Sequence, residues 1–262
     1  MRQIGKRTAL LAAAALLALL GATAAQAGLT KKGVVEVSFE ANLIPSSLPR
    51  SKPAPVGVQM SGAVKTTDRS APPKLQSLSV QINRHGILSS KGLPTCPLAK
   101  ISTGSGQAAL NACKRSLVGH GNVTTRVALP DQEPFADTGG MLAFNGTYRG
   151  HPAIFAQVAS GPPLPLTYVI VFEVKKAHGQ FGTALDATLP SIAAGYGSVS
   201  SFYLTLSRTY TDHGQKRSYL SASCPAPPGF PGGPFPLAKA TYAFEGGLRM
   251  SNELVKQCKV RG

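Results

Sequence analysis

Apolar and polar residues alternate at every second position over much of this sequence, and this pattern is the strongest constraint on its fold. In residues 35–41, the apolar side chains are Val35, Val37, Phe39 and Ala41. Successive side chains of a strand point to opposite faces, so the pattern is typical of strands with one buried face. It recurs in residues 78–82, 123–129, 181–189 and 202–206.

Residues 166–174 form a nearly continuous apolar run, which predicts a central strand covered on both faces. Clusters of Gly, Pro and Ser separate the runs, and this rhythm favours packed β-sheets over βαβ units. Two Pro-rich stretches, 44–55 and 225–236, are predicted to be surface connections. Because Pro lacks a backbone N–H, residues 225–236 are not expected to form a central strand.

One segment departs from the alternation. Leu110, Cys113 and Leu117 would share one face of a helix, Ser105 can cap its start, and Gly119 can end it. We therefore predict an all-β protein, a disulfide-stapled antiparallel β-sandwich of jelly-roll or Ig-like type, with one short α-helix near 105–117.

The N-terminus is typical of a signal peptide. Basic residues precede an apolar run over residues 9–20, which is too short to span a bilayer, and small residues follow at Ala25 and Ala27. We predict a signal peptide over 1–27, cleaved after Ala27, and a single β-sandwich domain over 28–262. The alternative is an N-terminal membrane anchor. Cleavage predicts a secreted or cell-envelope protein without a transmembrane segment in the mature chain.

The cysteines form an even set, which in an exported chain indicates disulfides. Three connectivities are possible, and we predict the sequential one because it closes two local loops. In the chain-entropy model these loops contribute about 3 and 4 kcal/mol. A Cys₄ zinc site is the rival, but it favours CxxC-like spacing, which is absent. The residues concerned are Cys96, Cys113, Cys224 and Cys258.

The chain is strongly basic. Removing the three basic residues of the predicted signal peptide from 27 leaves 24 against 11 acidic residues, a formal charge of +13. The basic residues are dispersed, whereas a specific nucleic-acid site more often shows a clustered stripe with aromatics. We therefore expect weak, salt-sensitive attraction to anionic cell-wall polymer or lipid headgroups and no specific nucleic-acid partner. The alternative is that the charge serves solubility alone.

All five histidines adjoin Gly or Pro, a context typical of turns. We predict that Asp212, His213 and Gly214 form the turn of a hairpin with arms 202–210 and 216–222. The alternatives are a metal site built from two or more histidines, or a catalytic Asp212–His213 pair. The histidines are His85, His120, His151, His178 and His213.

The familiar signatures of enzymes are missing from this sequence. It contains no Gly-x-Ser-x-Gly, no Ser-x-x-Lys and no His-Glu pair. Residues 104–109 fit the loose dinucleotide fingerprint G-x-G-x-x-A, but the expected acidic residue is absent because 69–130 hold no Asp or Glu. We predict no cofactor and no catalytic residue.

Three acidic residues in one loop, Asp131, Glu133 and Asp137, could contribute to a calcium site. Calcium needs six to eight oxygen ligands, so a solvated loop is the simpler interpretation and we predict no metal. The sequence also lacks Trp, which leaves no obvious platform for stacking a sugar.

At "KGLPTCPLAKI", "ALNACKRSLVGHG", "LAFNG" and "KRSYLSASC" the chain resembles uncharacterised exported β-rich proteins of actinobacterial type. These proteins also have an Ala-rich signal peptide and two cysteine pairs. The resemblance covers residues 77–258 and implies export and a β-rich fold. It implies no activity, ligand or cofactor.

These observations predict an exported, non-enzymatic binding or structural module, envelope-associated or extracellular, with a basic surface. One alternative is a secreted hydrolase with a dispersed active site. The other is a small-ligand carrier. A cleft with converging His or carboxylate side chains would favour the hydrolase, and a closed apolar cavity would favour the carrier.

Overall fold

The computed structural model describes residues 28–68 and 70–261. The predicted signal peptide and its cleavage site after Ala27 lie outside these residues. Within the described part of the chain, no helix is long and apolar enough to cross a bilayer.

The N-terminal part of the described chain, up to Tyr148, holds nine strands and one α-helix. Its strands are β1 (Gly28–Lys32), β2 (Val35–Ile44), β3 (Ser47–Leu48), β4 (Ala54–Pro55), β5 (Gly57–Thr66), β6 (Leu75–Asn83), β7 (Gly86–Leu88), β8 (Leu117–Val127) and β9 (Phe135–Tyr148). Helix α1 spans Gly106–Cys113 and is followed by a 3-10 turn at Lys114–Ser116.

The second half continues without an α-helix among the described residues. Its strands are β10 (His151–Ala159), β11 (Thr167–Lys176), β12 (Phe181–Thr188), β13 (Gly197–Leu206), β14 (Thr209–Asp212), β15 (Gln215–Ser218), β16 (Leu220–Ala222), β17 (Gly232–Phe244) and β18 (Arg249–Val260).

One sheet of 13 strands dominates the described structure, in the order β1-β2-β5-β13-β8-β9-β10-β11-β12-β6-β17-β18-β3. Its pairs are antiparallel except for the parallel pair of β18 with β3, so the sheet is mixed. A second sheet, here called the end sheet, holds β4, β16 and β7, and β14 pairs with β15 as a separate hairpin.

The alternating residues of the sequence form the inner face of the main sheet. In β2, Val35, Val37, Phe39 and Ala41 are buried, and they belong to one large apolar cluster that includes residues from most of the other strands. The strands predicted from the alternation are therefore confirmed, and so is the all-β class.

The sheet curls until its two sides meet. Asn252 of β18 donates to the backbone oxygens of Gly28 in β1 and Val37 in β2, and Tyr242 donates to the Asn252 Oδ1 at 3.2 Å. Thr30 adds a hydrogen bond to the Ser251 oxygen at 3.0 Å. At this seam, side-chain hydrogen bonds therefore connect β1 and β18 in place of a strand ladder.

Glycines allow the tight curvature of the sheet at one strand pair. A Cβ at Gly119 or Gly121 of β8 would overlap the backbone oxygens of Thr205 and Tyr203 in β13. Glycine is often found where two backbones approach closely. These glycines therefore serve strand packing, not a turn.

A second layer covers the outer face of β9, β10 and β11. Helix α1 and the segment before it pack Ile101, Ala109 and the Cys96–Cys113 disulfide against Phe144 and Phe155. β11 accordingly has inward residues in the main core, while its outward Val169 and Val171 contact this layer. The predicted central strand with two covered faces is confirmed.

Both predicted disulfides are present, Cys96–Cys113 and Cys224–Cys258. The second ties the segment after β16 to β18, next to the Pro-rich loop. Arg50 holds that loop by donating to the backbone oxygens of Ala226, Pro227 and Phe230.

Several finer expectations need correction. The main strands form one curled sheet, so the packing of two sheets in a jelly-roll or Ig-like sandwich is not confirmed. Helix α1 begins as predicted, with Ser105 accepting from the Ala108 N–H, but it ends at Cys113 because residues from Leu117 pair with β9. Residues 232–236 belong to β17, and Pro is tolerated there because β6 pairs only from Ala238 onward.

We expect Asn252→Leu to lower the free energy of unfolding by about 2 kcal/mol or more. The substitution keeps a side chain of similar size but removes its hydrogen-bonding groups, which leaves up to three seam groups without their partner, and each buried unpaired group costs about 1–3 kcal/mol. Chemical denaturation would measure the change. The control is Asn122→Leu on the exposed side of β8, where we expect a change within about 0.5 kcal/mol. Equal effects of the two substitutions would contradict the role of the seam.

Candidate functional site

The interior of the curled sheet is not completely filled. A cavity of about 90 Å³, here called the inner cavity, lies between its walls. Strands from all sides contribute to its lining, including Val37, Val123, Met141, Ile170, Phe202 and Tyr242. Nearly all of the surface exposed to this space is apolar.

A second apolar cavity of about 70 Å³, the end cavity, adjoins the first. Four side chains line both cavities, namely Met60, Val80, Leu185 and Leu206. Among them Met60 is unbranched and adapts its shape easily. A rotamer change of Met60 would therefore join the two spaces with little cost to the surrounding strands.

Unfilled volume of this kind lowers the stability of the folded protein. Protein interiors pack as densely as organic crystals, and residual cavity costs about 24 cal/mol per Å³. On that scale the two cavities cost about 2 kcal/mol each. A dry apolar cavity of about 150 Å³, close to the combined volume of these two, is able to take up small apolar molecules such as benzene or xenon.

Two of the polar side chains that line the inner cavity form hydrogen bonds with groups outside it. The Tyr242 hydroxyl donates to Asn252 at the seam, and Ser200 donates to the Thr124 backbone oxygen at 3.0 Å. Burial raises the pKa of the Tyr242 phenol, and the Asn252 contact opposes that shift. The cavity itself therefore offers few hydrogen-bonding groups to a ligand.

One end of the curl opens toward solvent. A larger cavity of about 460 Å³, here called the mouth, lies between the start of β6, the loop after β12 and the start of β13. It shares Leu75, Leu189 and Val199 with the inner cavity. These three side chains therefore separate solvent from the apolar interior.

The opposite end is bordered by the end sheet. The end sheet contributes Ile87, Leu88, Leu220 and Ala222 to the lining of the end cavity. Behind it lies Tyr219, which is fully buried, and burial raises the pKa of its phenol. The cavities thus form a path from the mouth to the end sheet, and the end cavity also adjoins a further cavity of about 150 Å³, with which it shares Ala41, Leu43, Phe235 and Leu237.

The predicted site residues do not converge. His213 is a turn residue with φ 46°, His85 lies in the turn before β7, and His178 lies in the loop after β11. His151 is the first residue of β10, after the turn at Arg149. The prediction of five turn histidines is wrong for His120, which lies within β8, and for His151, which pairs with Tyr148 in the ladder of β9 and β10.

The hairpin prediction holds for its tip. β14 and β15 pair antiparallel, with His213 and Gly214 in the turn at positive φ and Asp212 as the last strand residue. Residues 202–206 and 220–222 are not part of this hairpin, because the first belong to β13, which pairs with β5 and β8, and the second form β16 of the end sheet. Asp212 forms an ion pair with Arg217 at 2.7 Å, so it anchors the hairpin.

A Ser–His contact lines the end cavity. The Ser223 Oγ lies 3.5 Å from the His85 Nδ1, at the outer limit of a hydrogen bond. Within residues 28–68 and 70–261, no carboxylate or amide side chain hydrogen-bonds the other ring nitrogen of His85. A nucleophile–base pair normally has a third group that orients the base, and this pair lacks it.

The three acidic residues considered for a calcium site differ in their exposure to solvent. Asp137 is buried in β9, whereas Asp131 and Glu133 are exposed in the preceding loop. No group of three His, Cys, Asp or Glu side chains among the described residues is arranged to hold a metal ion. The dinucleotide-like motif is also engaged internally, because the Gly104 oxygen accepts from Thr167 at 3.0 Å.

Comparison with known proteins adds no further information. No family model, curated protein or solved structure matches this chain. The candidate site therefore rests on its own geometry.

Sequence reasoning missed the cavities. The alternating pattern identifies inward side chains but not the volume that they leave unfilled. A weak signal was present in Met60 and Met141, because Met is a common residue at adaptable apolar binding surfaces.

We expect His213→Asn to leave the free energy of unfolding unchanged within about 0.5 kcal/mol, because Asn tolerates the left-handed conformation and the His213 side chain is exposed. Asp212→Ala should cost about 1 kcal/mol or more, since it leaves Arg217 without its charged partner. Denaturation of both variants measures this. A loss above about 2 kcal/mol for His213→Asn would show that the ring does more than occupy a turn.

Proposed function

We propose that this protein binds a small apolar molecule inside the curled sheet. The observation that carries the proposal is the pair of adjoining apolar cavities with four shared lining side chains. Of the functions considered from the sequence, this is the small-ligand carrier. It is a binding function and not catalysis.

The walls and the ends of the cavities both support this proposal. The walls are strands held together by ladders and by the seam, so the space is preformed and its opening needs no rearrangement of the sheet. One end leads to the mouth and the other is bordered by the end sheet. Ligand sites are typically concave, largely apolar and preformed.

The size of the cavities limits the ligand. The inner and end cavities hold about 90 and 70 Å³, and an apolar cavity of about 150 Å³ accommodates benzene. A molecule of about six to eight heavy atoms therefore fits once Met60 turns aside. Longer chains would extend toward the mouth.

The setting is proposed to be the cell envelope or the exterior. Two disulfides are typical of an oxidising compartment, and the sequence before Gly28 has the features of a signal peptide. A carrier in that setting would shelter an apolar molecule from water.

A second candidate function is weak binding to anionic polymer or headgroups. Among the described basic side chains, Lys31, Lys175 and Arg217 form ion pairs with carboxylates, while many others project from the surface unpaired. Attraction of this kind is Coulombic and weakens as salt is raised. It would place the protein near an envelope without specifying a ligand.

The described methionines test the first proposal. Met60 lines both cavities and Met141 lines the inner cavity, whereas Met250 is buried but lines neither. With ¹³C-labelled methionine methyl groups, benzene should shift the resonances of Met60 and Met141 in a saturable way. The Met250 resonance should stay nearly fixed.

Matched variants separate binding from general solvent effects. Val80→Phe places a ring at the junction of the two cavities and should abolish the shifts, while Val255→Phe makes the same change at an exposed position and should leave them. Denaturation would confirm that both variants are folded. Absence of saturable shifts in the unmodified protein, or equal shifts of all three methyl groups, would refute the proposal.

A further inference from the structure

The mouth has a chemistry of its own, different from that of the cavities below it. Its apolar floor is formed by Leu75, Leu189 and Val199, which it shares with the inner cavity. Its rim is polar, with hydroxyl and amide groups from Gln76, Ser77, Thr188, Ser191 and Ser198. The path from solvent to the interior therefore passes from polar to apolar surroundings.

The charges of the rim are balanced. Lys74 and Glu245 are the charged residues that line the mouth, and both are exposed. The backbone N–H of Glu245 donates to the Lys74 oxygen at 2.9 Å, which holds the two residues side by side. A charged head group would meet one attractive and one repulsive neighbour, whereas an uncharged hydroxyl group can both donate to and accept from the rim.

The path from the mouth to the end cavity is long enough for an extended hydrocarbon chain. Leu75 lies at the mouth and Ile82 lines the end cavity, and both belong to β6. At about 3.4 Å per residue they are about 24 Å apart along the strand. Val80 lies between them and lines both interior cavities.

We infer that the ligand is a nonionic, single-chain amphiphile that enters by the mouth. Its apolar chain occupies the inner and end cavities, and its hydroxyl-bearing head, of glycerol or sugar type, binds the rim. This inference rests on the proposed function, because it needs the interior to be a ligand site. It adds the direction of entry and the chemistry of the head.

The loop beside the mouth fits this assignment. Ala193 and Ala194 have φ of 48° and 53°, and Gly195 has φ of 94°. Two alanines in the left-handed region are uncommon, and such strain often occurs near binding sites. The loop is fixed in place by the Ile192 oxygen, which accepts from the backbone N–H groups of Gly195 and Gly197.

The test compares three probes with the same eight-carbon chain and different heads. These are octyl glucoside, octanoate and octylammonium, each used below its micelle concentration. Octyl glucoside should shift the Met60 and Met141 methyl resonances and the backbone amide resonances of Gln76 and Ser198 with one common dissociation constant. Octanoate and octylammonium should bind about threefold or more weakly, and glucose alone should not produce the methyl shifts.

Removing one rim charge should change the order of affinity of the three probes. Glu245→Gln leaves Lys74 as the rim charge and should strengthen octanoate binding about threefold or more, while Lys74→Gln should do the same for octylammonium. Glu40→Gln, an exposed change on β2, is the control and should alter none of the three affinities.

The outcomes distinguish the two proposals. If benzene shifts the interior methyl groups but no probe responds to the rim substitutions, the entry route and the head chemistry are wrong and the proposed function stands. If octanoate or octylammonium binds most tightly to the unmodified protein, the nonionic head is wrong. If neither benzene nor any amphiphile reaches the interior methyl groups, the proposed function itself fails.

Discussion

A wide sheet with one apolar face must cover that face, and this constraint organises the whole molecule. The described part of the chain has little helix with which to cover it, since α1 and its flanking segment occupy only the outer side of β9, β10 and β11. The sheet therefore covers its inner face by curling onto itself. The hydrophobic effect drives the closure, and the hydrogen bonds of Asn252 determine where the two sides meet.

Closure by curling has a geometric consequence for function. Two sheets packed face to face can approach until their side chains interdigitate, but a curled sheet has a radius set by its strands. Inward side chains must then fill a space of fixed width. Here they leave the inner and end cavities, and the ends of the curl become chemically different. The Cys224–Cys258 disulfide lies near the end sheet, and the mouth retains polar groups.

Much of the fold could be predicted because it depends on local patterns. Val35, Val37 and Phe39 show the burial that their spacing predicts, Ser105 caps a helix, and His213 turns a hairpin. The disulfides followed from an even cysteine count and short loops. Closure of the sheet could not be predicted, because it depends on contacts between Asn252 and residues more than two hundred positions away. The same holds for the cavities, which are a property of all the walls together, and for the role of Gly119 and Gly121, whose Gly-His-Gly context resembled a turn.

The most direct test of the central claim is a crystal of the protein pressurised with xenon. Xenon enters dry apolar cavities without needing hydrogen bonds, so it reports on the space and not on a chosen ligand. We expect xenon density beside Met60 and Val80, in the inner cavity, the end cavity or both. Xenon bound only outside the curled sheet, or an interior filled by side chains, would contradict it.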